Sequence, residues 1–368
     1  MPDRPVLTIA FAGPLTGPQA IVGVPMSLCA ELAVHQASTR STLPFDLRFR
    51  REDDRAKPAE AEIVARRLVA DSTVVGVVGH KNSGASAAAA PVYHAAGLAQ
   101  LTPCSTNAAL SQQGYRTFFR LCAHDGLQGA VAARYGIHVL KARRVAIVHD
   151  QTDYGLPLAE AVQAECHRNG AAVVLFEGIV EDAADFGATV ARIRTASPDL
   201  VYFALTEIES SLLVQQLRSA GVRTTVFGTD GGTQSKFLPL AGSSAEGSYQ
   251  TYPGVVPECT AAAELFLRDF ERRHGEPPIF GAETYDAASL VIAAADRAGG
   301  PDRARVLQGI TRLAGFEGVS GSVAFDACGD RRDPHVSIWR VQQGRMELLG
   351  LASDLIPVEP IPPGAGSI

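Results

Sequence analysis

The sequence predicts an α/β protein built as two doubly wound lobes, and three observations carry that expectation. Short β-branched runs alternate with longer Ala-rich stretches of helical periodicity, the pattern of βαβ units and of parallel sheets covered on both faces. The alternation occurs in two sets, one before about Leu121 and one after about Lys141. A chain of 368 residues, 46% apolar and 20% charged, is also longer than one hydrophobic core usually serves.

Taken in order, the strand-like runs of the first set span residues 6–11, 45–50, 73–78 and 99–102, and those of the second span 144–148, 172–176, 200–203 and 224–228. Between them lie helical patterns. In PAEAEIVARRLVADS, Ile63, Val64, Leu68 and Val69 share a face. In SSLLVQQLRSAG, Leu212, Leu213 and Leu217 turn inward and Gly221 stops the helix. The stretch VVGHKNSGASAAAAPVYHAAG ends a buried strand on a small polar loop and launches a helix beginning Ser-Gly-Ala-Ser. Such a start leaves backbone N–H groups without partners and a partial positive charge, a seat for a carboxylate or phosphate. Simple capping by Ser83 explains the serine equally well.

In open α/β sheets ligands sit at the carboxyl ends of the strands. The loops there read AGPLTG after the first run, HKNS at 80–83, PCST at 103–106, HDQTDYG at 149–155, ALTE at 204–207 and TDGG at 229–232. All are rich in hydroxyls, carboxylates or glycine. Turn chemistry accounts for part of this, but their common position favours a binding cleft between the lobes.

Several function classes are excluded. A net charge of −6 and the lack of any basic run interleaved with aromatics argue against nucleic acid and anionic membranes. No apolar stretch approaches the length of a spanning helix, so direct membrane insertion is not expected. The opening MPDRPVLTIAFAGPLTG is broken by Gly13-Pro14 and does not read as a secretory signal. Either the chain is cytoplasmic or a leader was removed. Six scattered cysteines without a CxxC pair rule against a zinc knuckle or a disulfide-dense module, while leaving a single bridge open. There is no GxxxxGK[ST], GxSxG or HExxH. His80 and His149, each at a strand end, read as structural, and Asp230 beside Gly231-Gly232 suits either a general base or a turn. Without a nucleophile–base pair the chain does not read as an enzyme, and no cofactor or metal is expected.

From Val6 to about Gly350 the chain resembles the Leu/Ile/Val-binding proteins of ABC transporters, class I periplasmic binding proteins. The resemblance rests on IAFAGPLTGPQAIVG, REDDRAKPAEAEIVARRLV, VVGHKNSGASAAAAPVYHAAG, LTPCSTNAALSQQGYRTFFRLCAHDGLQG, RRVAIVHDQTDYGLPLAEAV, FGTDGGTQSKFLPLAGSSAEGSY, IFGAETYDAASLV and GVSGSVAFDACGDRRDP, in the family's order and spacing. It implies a periplasmic binding protein type I fold, two Rossmann-like lobes joined by a three-crossover hinge that closes on the ligand. The crossovers are expected near 121–125, 250–253 and 326–330. The first lobe then holds 1–122 plus 254–325, the second 123–253 plus 326–350 with a final hairpin around Gln342-Gln343-Gly344, and 351–368 form a tail.

The resemblance also implies a ligand set. Ser83 binds an amino acid's α-carboxylate, Thr106 contacts carboxylate and ammonium, and the Cys104 carbonyl accepts from the ammonium, with Ser105 between them. From the second lobe come the Tyr154 hydroxyl and Asp230, the latter where branched-chain binders carry Glu; Phe280 falls on the cleft wall. Departures concern the ligand's side chain. Val22 stands where the family has Trp, Lys81 and Asn82 replace an apolar residue, and Thr206 followed by Glu207 replaces a cleft Tyr. Those changes imply a pocket more polar or more open than a leucine pocket, unless Lys81 and Glu207 point to solvent. Ala56 and Asn82 occupy the positions of a family disulfide. The expectation is an extracytoplasmic protein that binds a branched-chain or more polar amino acid and delivers it to an ABC permease. The alternative is a cytoplasmic sensor of the same fold, resembling amide-sensing regulators.

Overall fold

The computed structural model describes residues 4–39, 42–180, 183–233, 237–254, 263–313 and 315–356. The chain divides into two compact units, Met1–Ala123 with Gly254–Pro334, and His124–Pro253 with His335–Ile368.

In the first unit, β1 (Val6–Gly13), β2 (Asp46–Asp53), β3 (Val74–Gly79), β4 (Ala99–Thr102) and β5 (Phe118–Arg120) form a five-stranded sheet in the order β2-β1-β3-β4-β5. All its pairings are parallel. The chain changes direction in the sheet between β1 and β3, the switch point at which doubly wound sheets open a crevice. There Gly13 lies opposite Asp53 and Ala12 opposite Gly79, so three strands end level. Gly79 has φ 134 and sits so close to β1 that a Cβ would come 2.0 Å from the Ala12 carbonyl oxygen, which only glycine permits.

The second unit repeats the plan with β6 (Arg144–His149), β7 (Ala172–Gly178), β8 (Leu200–Ala204), β9 (Thr225–Gly228) and β10 (Tyr249–Tyr252). A two-stranded hairpin, β11 (Phe316–Gly318) and β12 (Gly321–Val323), belongs to the first unit. The antiparallel pair β13 (Ser337–Gln342) and β14 (Arg345–Leu351) completes a seven-stranded sheet in the order β14-β13-β10-β9-β8-β6-β7. Its switch point lies between β6 and β8, where His149 faces both Gly178 and Ala204 at the carboxyl ends.

All eight predicted runs are strands, and β5 and β10 join them without having been anticipated. Strand β5 is only three residues long, and β10 reads Tyr-Gln-Thr-Tyr, so neither offers an apolar run that stands out. The helix Pro58–Ala70 buries Ala61, Val64, Ala65 and Leu68, a stripe at i, i+3, i+4 and i+7. Ile63, expected on that face, is 52% exposed because the stripe is centred one position away. The helix Glu207–Ser219 buries Leu213, Val214 and Leu217 and stops at Gly221, where φ is 77.

Three expectations are corrected. Residues 326–334, expected in the second lobe, pack with the first unit. The Arg120 guanidinium, fully buried, pairs with Asp330 at 2.6 Å, and the Gly329 carbonyl accepts from the Arg120 N–H at 2.8 Å. The Arg331 guanidinium donates to the Ser320 and Ser322 carbonyls. Removing Asp330 would strand a buried cation, so this segment cannot leave cheaply. Nor does the tail begin at 351: Leu351 closes β14 and a short helix, Ala352–Leu355, follows. The helix Ala20–Ser38, moreover, is long and apolar enough to cross a membrane by length and composition, with mean hydropathy 1.3. More than half of that stretch is buried within the protein, as in a core helix.

Candidate functional site

Each unit gathers polar side chains at its own switch point. In the first unit, β3 delivers His80–Ser83 and β4 delivers 103–107. The helix Ser83–Ala95 begins at Ser83, but Ser83 does not cap it. Its Oγ instead accepts from the Asn107 N–H at 3.3 Å, across the gap between the two loops. Ser105 Oγ donates toward the carbonyls of His80 (3.0 Å) and Lys81 (3.1 Å), and the Cys104 thiol donates to the Lys81 carbonyl at 3.5 Å. Lys81, Asn82, Ser83, Cys104, Ser105 and Thr106 are thus brought together on one surface.

Beneath that surface, a buried relay holds the loop. His80 Nδ1 lies 2.6 Å from Asp54 Oδ2, and His80 Nε2 lies 3.1 Å from the Tyr93 hydroxyl. His80 is therefore structural, as its strand-end position suggested. Above it, two groups are left ready for something else. Thr106 is fully buried and its Oγ1 has no hydrogen-bond partner, and the same holds for Asn82 Oδ1. The first N–H groups of a helix add donors beside them. The surface offers hydroxyls and N–H groups to an anion.

Gln19, which the sequence reading passed over, ties the first loop to this one: its Oε1 accepts from Lys81 Nζ at 3.0 Å and Asn82 Nδ2 at 2.9 Å. Its position in a loop after the first strand was the available signal. Val22 and Phe280 are both buried, on the opening turn of the Ala20–Ser38 helix and immediately before the Gly281–Ala298 helix. They lie on elements separate from the loops at 80–83 and 103–107.

In the second unit, the loop after β9 carries Asp230, whose Oδ1 accepts from the Tyr154 hydroxyl at 2.9 Å and from Gln128 Nε2 at 3.0 Å. The Tyr154 hydroxyl also lies 2.8 Å from Thr229 Oγ1. Burial, and then the Asp230 charge, hold the Tyr154 phenol well above its usual range, so it remains a donor. Gln128, fully buried, also reaches Thr251 Oγ1 at 3.0 Å. It was missed although it lies inside the quoted run LCAHDGLQG, because nothing in its local pattern marks an amide aimed at a distant carboxylate. Asp125 is near enough for its charge to raise Tyr154 further.

Thr206 has a local task. Its N–H and hydroxyl both meet Glu209 Oε2, at 3.2 and 2.9 Å, in a capping box that starts the Glu207–Ser219 helix. Glu207 does not point to solvent: it is 1% exposed. Among the described residues, no group of three or more His, Cys, Asp and Glu is placed to hold a metal ion.

Residues 6–345 match the sequence profile of the periplasmic binding protein family. An amino acid binding protein of Pseudomonas aeruginosa is 32% identical over 331 residues, covering 88% of this chain and 87% of its own. A Leu/Ile/Val-binding protein homologue of Brucella abortus is 29% identical over 332 residues, covering 90% and 89%. Among solved structures, a leucine-binding protein of Thermotoga maritima superposes with a TM-score of 0.86 at 25% identity, covering 94% of this chain and 98% of that one. A branched-chain amino acid transporter substrate-binding protein of Streptococcus pneumoniae, in complex with isoleucine, gives 0.85 at 25% identity, covering 94% and 99%. With the two-unit α/β architecture and loops already described, this shows that the chain belongs to the periplasmic binding protein family.

Proposed function

We propose that the protein is an extracytoplasmic solute-binding component of an ABC transporter that captures an amino acid with two half-sites, one on each unit, closing by a hinge. The observation that carries the reading is the division of chemistry between the units. One presents unpartnered Thr106 and the start of the Ser83 helix, suited to a carboxylate; the other presents Asp230, oriented by Tyr154 and Gln128, suited to an ammonium. The names of the relatives support the same ligand class. Closure follows because a ligand that touches both half-sites binds the closed state better than the open one.

The test is titration calorimetry against the twenty α-amino acids. At least one binds, and Asp230→Ala weakens that binding more than Glu207→Ala does, because the ammonium loses its oriented counter-charge. Binding by none of the twenty removes the reading.

A further inference from the structure

Resting on that reading, we infer that Glu207 selects the ligand's side chain and that the ligand is an α-amino acid carrying a second positive charge, an amine or guanidinium. Glu207 is 1% exposed, its Oε1 is buried without a hydrogen-bond partner, and no ion pair among the described residues reaches it. Its neighbours show what a satisfied carboxylate looks like here. Glu209 is engaged by Thr206, and Asp230 accepts from two donors.

Its place in the fold is that of a ligand group. Glu207 follows β8 at the β6/β8 switch point, the counterpart in this unit of the Ser83 loop after β3. It also adjoins the Asp230 loop: a Cβ at Gly231 would lie 2.4 Å from the Leu205 carbonyl oxygen and 3.2 Å from the Glu207 nitrogen. Glycine there lets the two loops pack backbone to backbone, which keeps both carboxylates at one end of the sheet.

Charge balance sets the ligand class. A zwitterion is neutralised by one anion seat and one carboxylate, and Asp230 supplies the carboxylate. Glu207 adds a buried carboxylate whose Oε1 no donor satisfies, beside the charge that Asp125 already brings to Tyr154, and such negative charge is expensive away from water. The helix start beside Glu207 relieves a part of that cost. A cationic side chain on the ligand removes the rest, whereas an aliphatic side chain would leave Glu207 desolvated and unpaired.

The experiment is calorimetry on the full chain with arginine, lysine and ornithine set against leucine, isoleucine and valine, repeated with Glu207→Gln. The cationic set binds the wild type more tightly, and Glu207→Gln lowers the ratio of cationic to aliphatic affinity by about thirtyfold or more, the size expected for losing one partner of a buried charge pair. Preference for the aliphatic set, with the ranking unchanged in the variant, overturns this inference while leaving amino-acid capture intact. Equal weakening of all ligands also overturns it, since Glu207 would then serve the α-ammonium. If no amino acid binds, the proposed function itself falls. Should the variant fail to fold, the wild-type ranking alone decides.

Discussion

Thr106 and Asp230 show how differently two functional side chains can be prepared. Thr106 Oγ1 is buried with nothing to bond, a cost of about 1–3 kcal/mol that a ligand oxygen would recover. Asp230 is already oriented by two donors. We therefore expect Thr106→Val to lower amino-acid affinity while leaving the melting temperature unchanged or raised, since an unsatisfied group is removed. A calorimetric titration beside a thermal melt checks both halves. Tyr154→Phe deletes a donor to a charged acceptor and should weaken binding by roughly 1.5–3 kcal/mol, measured the same way. At this scale the sequence was informative where the residue follows a strand: Ser83, Thr106, Tyr154 and Asp230 all occupy such loops. Gln19 also lies in such a loop, whereas Gln128 was not legible, because an amide's importance depends on which distant carboxylate it meets.

Among the elements, the Glu207–Ser219 helix depends on its capping box, and Thr206→Ala should cost about 1 kcal/mol, a fall of a few degrees in melting temperature. The β11–β12 hairpin is held to the Gly281–Ala298 helix by Asp286, which accepts from the Val319 and Ser320 N–H groups and the Ser320 hydroxyl. Burial pushes its carboxyl from an ordinary 3.8 up to about 6, against those hydrogen bonds. The folded state thus holds this proton more tightly than the unfolded state. Its contribution is complete below about pH 4, falls as pH rises toward 6, and is flat above; the loss is roughly 3 kcal/mol. Melting curves of wild type and Asp286→Asn between pH 4 and 7.5 should show the wild type losing several degrees relative to the variant, whereas parallel curves would refute the assignment. Eight strands of the two doubly wound sheets were legible from short apolar runs between helical patterns. The stripe of the Pro58–Ala70 helix was misplaced at Ile63, since apolarity does not say which shoulder of a helix faces the sheet.

Taken whole, the chain is two copies of one topology, each with its switch point between the first and third of its own strands. That repetition was visible in the two sets of alternating runs. The return of 326–334 to the first unit was not, because it rests on Asp330 meeting Arg120, a pairing across 210 positions. If an amino acid engages both units, small-angle scattering should show the radius of gyration shrinking on saturation, and Asp230→Ala should abolish that shrinkage at the same ligand concentration. The most direct test of the zwitterion grip compares one bound amino acid with its decarboxylated amine and its deaminated acid by calorimetry. The account predicts that the amino acid binds and that each analogue loses at least about a hundredfold in affinity, since each leaves one charged half-site empty. Binding of either analogue as tightly as the parent would contradict it.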